Sequence, residues 1–191
     1  VDLMVHDGLT DPYSGNHMGV LAEKTAEKNN ITRQDQDDWA TRSYNLSQKA
    51  VSDGKFKDEI ASVTITTRKG ETIVDSDEEP FRGDVNKLAG LRSAFIKDGT
   101  ITAGNASTIS DGAAVILLAS KKAVDKYNLK PIAKLKAGAS SSIAPDDFSE
   151  GPVYAMQKIL EQTNLRAADI DLYEINEAFA MVTMLAINEL K

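Results

Sequence analysis

The chain of 191 residues contains no cysteine. That removes disulfides, thiolate metal sites, iron–sulfur clusters and any thiol nucleophile from within it. It has only two histidines, His6 and His17, which leaves little for a metal site, and no metal is expected. No apolar run approaches the ~18 residues of a membrane helix, so no membrane partner is expected either. Positive charge is the scarcer sign: 22 Lys and Arg face 29 Asp and Glu, for a net charge of −7. A nucleic-acid backbone needs a basic face, so nucleic acid is not an expected partner. A small anionic ligand stays open, because a local cluster of Arg, Lys and backbone N–H groups binds one even inside an acidic protein.

What is present reads as a folded chain. Hydrophobic residues make up 41% and charged residues 27%, within the globular range and outside that of disorder. The length suits one large domain or two small ones. The missing cysteines are compatible with the cytosol, and a cytoplasmic location is expected. The opening Val1-Asp2-Leu3-Met4-Val5 has neither an initiator Met nor the pattern of a signal peptide. At the other end an apolar helical stretch, 181–190, runs to Lys191 without a cap. The expectation is a piece of a longer protein.

Along the chain, Ser14-Gly15-Asn16 signals a turn and a helix follows from His17, with Met18, Leu21, Ala22, Thr25 and Ala26 on one face. Asn29-Asn30 ends it. Thr32 and Asp35 form a loose capping box for a second helix carrying Trp39, Ala40, Ser43, Leu46, Ala50 and Val51, closed by Asp53-Gly54. Alternation over 60–68, a Lys69-Gly70 turn and Thr72-Ile73-Val74 predict a β-hairpin. The acidic run 75–79 reads as a solvated loop and 81–98 as irregular. The continuous apolar run 113–118 is the best buried-strand candidate, followed by a helix over 120–127. Further strands are expected over 131–139 and 170–175, with a helix between them that has Pro152 at its first position and carries Val153, Met156, Ile159 and Leu160. Strand–helix–strand–helix order in the last third implies a doubly wound α/β layer.

Three segments set small residues beside a polar one: Gly15-Asn16-His17-Met18-Gly19, Thr102-Ala103-Gly104-Asn105-Ala106-Ser107 and Asn176-Glu177-Ala178-Phe179-Ala180. Small residues let a backbone approach a ligand closely. Asn176 is read two ways. It caps the last helix, or its amide orients a water or an oxyanion where a strand end feeds a helix. His17 is a general base, a ligand contact or an ordinary polar residue at a helix start. Met18 fits core better than pocket on spacing alone. Ser107 has no base beside it in sequence, so a hydrogen-bonding or turn role outweighs a nucleophilic one.

The order and spacing of these three segments, with Asp7-Gly8-Leu9 before His17 and the 99–112 run that starts at Gly99, resemble the thiolases over essentially the whole chain, and within them the short-chain acetyl-CoA C-acetyltransferase class. The resemblance implies an α/β thiolase fold, present in part. Residues 1–108 would form the substrate-covering loop domain, 109–129 the end of the N-terminal half and 130–191 the start of the C-terminal half. It implies covalent acyl transfer between coenzyme A thioesters by a Cys nucleophile, a His and a second Cys, all outside this chain, so that the chain alone is expected to be inactive. It assigns Asn176 to a catalytic water in the oxyanion hole. Ala178 and Phe179 would line the acyl and pantetheine pocket, and Ser107 would bind pantetheine with Ala103 and Gly104 beside it. Leu9, His17 and Met18 would wall the acyl end, with Phe148 near the acyl chain. Arg82 falls near the CoA adenine, and Lys87 stands where some members place an adenine-contacting Ser, at a place from which it reaches a CoA phosphate. Bulky His17, Met18 and Phe148 favour a four-carbon substrate by steric exclusion. Acetyl-CoA and acetoacetyl-CoA are the implied substrates, with no bound cofactor, and a homodimer or homotetramer is the implied assembly. The alternatives are a broader-chain 3-ketoacyl-CoA thiolase of fatty-acid degradation and a non-catalytic acyl-CoA-binding module.

Overall fold

The computed structural model describes residues 1–190. A single π-helical turn, Met4–Gly8, leads into α1 (Met18–Lys28). His17 caps α1: its Nδ1 accepts from the Gly19 N–H at 3.0 Å. The buried positions Leu21, Ala22, Thr25 and Ala26 repeat at helical spacing, which turns one stripe of α1 inward. The helix stops at Asn29, and Asn30 takes a left-handed φ of 53°, a conformation asparagine tolerates better than most residues.

Helix α2 (Arg33–Ser52) opens on the expected capping box, in which Thr32 and Asp35 satisfy each other's backbone N–H groups. Its inward face is Gln36, Asp37 and Ala40, so α2 is held as much by polar contacts as by apolar burial. The Asp35 carboxyl is held below its ordinary range, first by the Thr32 hydroxyl and then by the Thr32 N–H. A lowered folded-state pKa gives stability that is present above the unfolded value of about 3.9 and is lost as pH falls through the folded value. Thr32→Ala should cost about 1 kcal/mol near neutral pH and somewhat less in acid, where the hydroxyl's bond to the Asp35 carboxylate weakens but the cap bond from the Asp35 N–H remains, checked by urea unfolding at both.

The hairpin forms as expected from β1 (Val63–Thr67) and β2 (Gly70–Val74), antiparallel with Val63 opposite Val74 and Ile65 opposite Thr72. It is the only sheet among the described residues. The stretch expected to be irregular contains the end of α3 (Glu79–Arg82) and a 3₁₀ turn, Val85–Gly90. Helices α4 (Lys121–Tyr127), capped by Ser120, and α5 (Gly151–Thr163), with its proline in the first turn, lie where the pattern put them. Helix α6 (Ala180–Glu189) buries Met181, Val182, Leu185 and Ala186. It packs with Ala22 and Ala26 of α1, Val153 of α5, Ile101 and Phe179 into the core. No helix of the described residues is long and apolar enough to cross a membrane.

Three expected strands are not paired. Segments 113–118, 131–139 and 170–175 run without a ladder. The run expected to be most buried is exposed: Val115 is 97% and Leu117 85% accessible. An apolar run encodes the wish to be covered, but a strand needs a neighbour for its N–H and C=O groups, and the described residues supply none. The doubly wound layer is therefore absent as a sheet among them. The last helix also begins later than expected. Its N-cap is Phe179, so Asn176 lies three residues outside it and does not cap it.

Candidate functional site

The site is built from two backbone seams. In the first, the turn after Thr10 folds the chain back on itself. Asp11, 6% exposed, accepts from the Ser14 hydroxyl at 2.6 Å and the Ser14 N–H at 2.7 Å, and its carboxyl is held below the ordinary range by that hydroxyl and then by that N–H. Gly15 supplies the positive φ of 70°. Thr10 then pairs with His17, and the Met18 N–H donates to the Leu9 carbonyl at 2.8 Å. Leu9, His17 and Met18 are thus brought together. The His17 ring stacks on Phe95 at 4.8 Å, and Phe95 meets Phe179 edge-on at 6.1 Å. Gly19 makes this possible, since a Cβ there would lie 2.3 Å from the Phe95 ring.

The second seam joins segment 102–107 to segment 176–180. Ala106 pairs with Phe179, the Ser107 N–H donates to the Ala178 carbonyl at 2.9 Å, and the Ala180 N–H donates to the Asn105 carbonyl at 2.9 Å. Buried side chains hold the loop from behind. The Asn105 amide donates to Asp37 at 2.9 Å and its oxygen accepts from the Thr102 N–H at 2.8 Å. Asp37 in turn accepts from Arg33 at 2.7 Å, whose guanidinium also reaches the carbonyls of Leu88 and Leu91. Glu23 of α1 accepts from Thr100 and Ile101. Ala103 and Ser107 are left exposed, while Gly104 is buried against the Leu88 and Leu91 side chains.

Asn176 is exposed, and its amide makes no hydrogen bond with another described residue. The residue after it is fixed: one Glu177 oxygen accepts from the Trp39 indole and the other from the Ser43 hydroxyl, each at 2.7 Å. Asn176, Glu177, Gly104 and Ser107 line a groove of about 720 Å³ between α2 and segment 173–177. Leu9, His17, Met18, Phe148, Ala178 and Phe179 do not line it. Ser107 has no base: its hydroxyl donates only to the Thr108 carbonyl, at 3.4 Å.

Phe148 sits in a 3₁₀ turn, Pro145–Glu150, and packs against the core. That turn is pinned to α1 by Lys24 to Asp146 at 3.2 Å, Lys28 to Asp147 at 2.9 Å and Lys28 to Glu150 at 3.0 Å. Asp147 first and Glu150 second raise the Lys28 pKa. Phe148 is thereby tied to the helix whose first residue is Met18.

Arg82 and Lys87 stand apart from both seams. Arg82 is on α3, beside the second half of α2, and pairs with Glu79 and with Glu78 at 2.8 Å. Lys87 pairs with Asp84 at 3.1 Å. Among the described residues no cluster of three or more His, Asp or Glu is arranged to hold a metal. Sequence reasoning missed Phe95, Glu23, Asp37 and the Glu177 contacts. Nothing local marks them, because each acts on a partner far along the chain.

Residues 1–122 match the family model of the thiolase N-terminal domain, and residues 129–191 that of the thiolase C-terminal domain. The mitochondrial acetyl-CoA acetyltransferase of Mus musculus is 45% identical over 192 residues, covering 100% of this chain and 45% of that protein. The acetyl-CoA acetyltransferase of Syntrophomonas wolfei is 44% identical over 180 residues, covering 94% of this chain and 46% of that protein. The crystal structure of the Bacillus anthracis acetyl-CoA acetyltransferase superposes with a TM-score of 0.88 at 40% identity, covering 95% of this chain and 46% of that one. The chain spans about half the length of the curated relatives it matches.

Proposed function

The chain belongs to the thiolase family and carries part of its fold, and from that premise we propose that the complete protein containing it joins two acetyl-CoA molecules into acetoacetyl-CoA and free CoA, or runs the same reaction backwards. The names of the relatives support the reaction class. The observation that carries the reading to particular residues is the state of Asn176. Glu177 beside it is clamped while its own amide is free and exposed. Free donors on a fixed backbone are what a developing oxyanion, or a water held beside it, requires.

On this reading the chain's residues divide the substrate among them. The exposed positions Ala103 and Ser107, with Gly104 buried between them, take the pantetheine arm, and Ala178 and Phe179 back that edge through the seam. Leu9, His17, Met18 and Phe148 enclose the acyl end. Arg82 and Lys87 reach the nucleotide end of CoA only by exchanging their present carboxylate partners for phosphate or adenine. Nucleophilic attack on the thioester and the proton transfers fall to Cys and His residues in other parts of the complete protein. CoA thioesters are substrates, and no bound cofactor is called for.

The test is thiolysis by the complete protein with four-carbon and eight-carbon 3-ketoacyl-CoA, the 191-residue chain serving as an inactive control because it lacks a thiol. Turnover that prefers the four-carbon substrate is expected. The double change Met18→Ala with Phe148→Ala should then shift relative kcat/KM toward the eight-carbon substrate by about ten-fold or more, since one methylene in an apolar pocket is worth about 1–3 kcal/mol. An unchanged ratio in a destabilised protein would make both side chains core alone and leave a broader-chain thiolase as the better reading. No turnover with any 3-ketoacyl-CoA would leave a non-catalytic acyl-CoA-binding module.

A further inference from the structure

We propose that Trp39 and Ser43 of α2, acting through the Glu177 carboxylate, are positioning residues for Asn176. This deepens the preceding reading and rests on it. Trp39 and Ser43 are four residues apart on one helix, so they share a face. Their two donors meet the two oxygens of one carboxylate, each at 2.7 Å. Both bonds are charge-assisted, the shorter and stronger kind. The Trp39 ring is itself covered by the Arg42 guanidinium, 5.1 Å from the ring centroid. Glu177 makes no ion pair with a described residue, so these two neutral donors orient it.

The backbone makes the clamp matter for Asn176. On its N-terminal side, segment 170–175 forms no ladder with described residues, and Ile175 is held by packing against the core with no hydrogen bond to a described residue to set its rotation. On its C-terminal side the first fixed point is the Glu177 side chain, and the seam at Ala178 and Phe179 comes after it. Rotation about the Glu177 backbone would swing the Asn176 amide while leaving that seam intact. The helix carrying Trp39 and Ser43 is therefore the reference against which the Asn176 amide is aimed.

The experiment measures kcat and KM for acetoacetyl-CoA thiolysis by the complete protein, with thermal unfolding followed in parallel. Glu177→Gln, and Trp39→Phe combined with Ser43→Ala, are each made alone and on an Asn176→Ala background. Trp39→Phe keeps an aromatic ring but loses the N–H with the smaller half of the indole, and Ser43→Ala removes one hydroxyl, so this pair, read as kcat per folded molecule, carries the test if the Glu177 variant does not fold. Alone, each brace change should lower kcat about ten-fold, the scale on which loss of an orienting partner is felt, with KM within about two-fold of the parent value. On the Asn176→Ala background the same changes should leave kcat where Asn176→Ala put it, because the group they aim is gone. Equal fold-losses on both backgrounds, or a lower unfolding temperature with kcat per folded molecule unchanged, would overturn the proposal. Parental kcat in Asn176→Ala itself would overturn the role of Asn176 and the brace together. A low kcat in that variant with additive brace losses would remove the brace alone.

Discussion

Asn176→Ala in the complete protein should lower kcat for acetoacetyl-CoA thiolysis roughly a hundred- to a thousand-fold, with KM close to that of the parent. The magnitude is that of one oxyanion donor, about 2.7–4 kcal/mol. It falls on kcat because a donor aimed at developing charge helps the transition state more than the bound thioester. The sequence alone allowed a competing account in which Asn176 caps the last helix. The structure gives the N-cap position to Phe179, which makes no side-chain cap bond, and leaves the Asn176 amide free. Removing it should therefore leave stability nearly unchanged, since exposed groups without partners contribute little. Asn176→Asp separates the accounts further: a carboxylate cannot donate, and its charge opposes an oxyanion, so kcat should fall at least as far as in the alanine variant. Loss confined to KM would make Asn176 a ground-state contact instead.

How much of this was legible in the sequence depended on how local the cause was. The Thr32 and Asp35 box and the Asn29-Asn30 stop are settled within a few residues and lie where the pattern put them, while the hairpin turn falls at Arg68-Lys69, one residue before the expected Lys69-Gly70, because Gly70 already pairs with Thr67. Helix α1 follows from apolar spacing with a cap, α2 and α4 from their Thr32 and Ser120 caps, and α5 from apolar spacing with a proline in its first turn. The segments 113–118, 131–139 and 170–175 have the composition of strands, but pairing is decided by a neighbour, and composition does not report whether one is present. The site divides in the same way. Small residues beside polar ones marked the three segments that form the two seams. The groups that hold those segments in place were invisible, because Glu23 acts across 77 residues on Thr100, Asp37 across 68 on Asn105, and Trp39 across 138 on Glu177. The isolated Phe95 carried no periodic signal, yet it joins His17 to Phe179. The charges of Arg82 and Lys87 were plain, but their local carboxylate partners come from a turn and a short helix that the pattern did not resolve.

Glu23→Ala should be the most destabilising single change at the site, costing about 3 kcal/mol or more. The carboxylate is 4% exposed. One oxygen accepts from the Thr100 N–H at 2.8 Å and the Thr100 hydroxyl at 2.7 Å, and the other from the Ile101 N–H at 2.9 Å. A buried donor left without a partner costs about 1–3 kcal/mol, and this change strands two backbone donors at once. The Thr100 hydroxyl loses its acceptor as well, because its bond from the Gln36 amide at 2.8 Å occupies a lone pair and not its proton. Gly99 belongs to the same arrangement, because a Cβ there would sit 2.3 Å from a Glu23 oxygen. Glu23→Gln is not a mild control: both oxygens already accept, so its amide N–H₂ would face a donor. Urea unfolding should show a lower midpoint with an unchanged slope in both variants, a large share of the 5–15 kcal/mol that holds a typical domain together. The residues braced by Glu23 lead directly into segment 102–107, whose free edge is assigned to the pantetheine arm, so the folded fraction of either variant should show a raised KM for acetoacetyl-CoA before any loss in kcat. A midpoint shift worth less than about 1 kcal/mol would mean that water or a neighbouring acceptor reaches Thr100 and Ile101. In that case α1 would not be what fixes the substrate-facing loop.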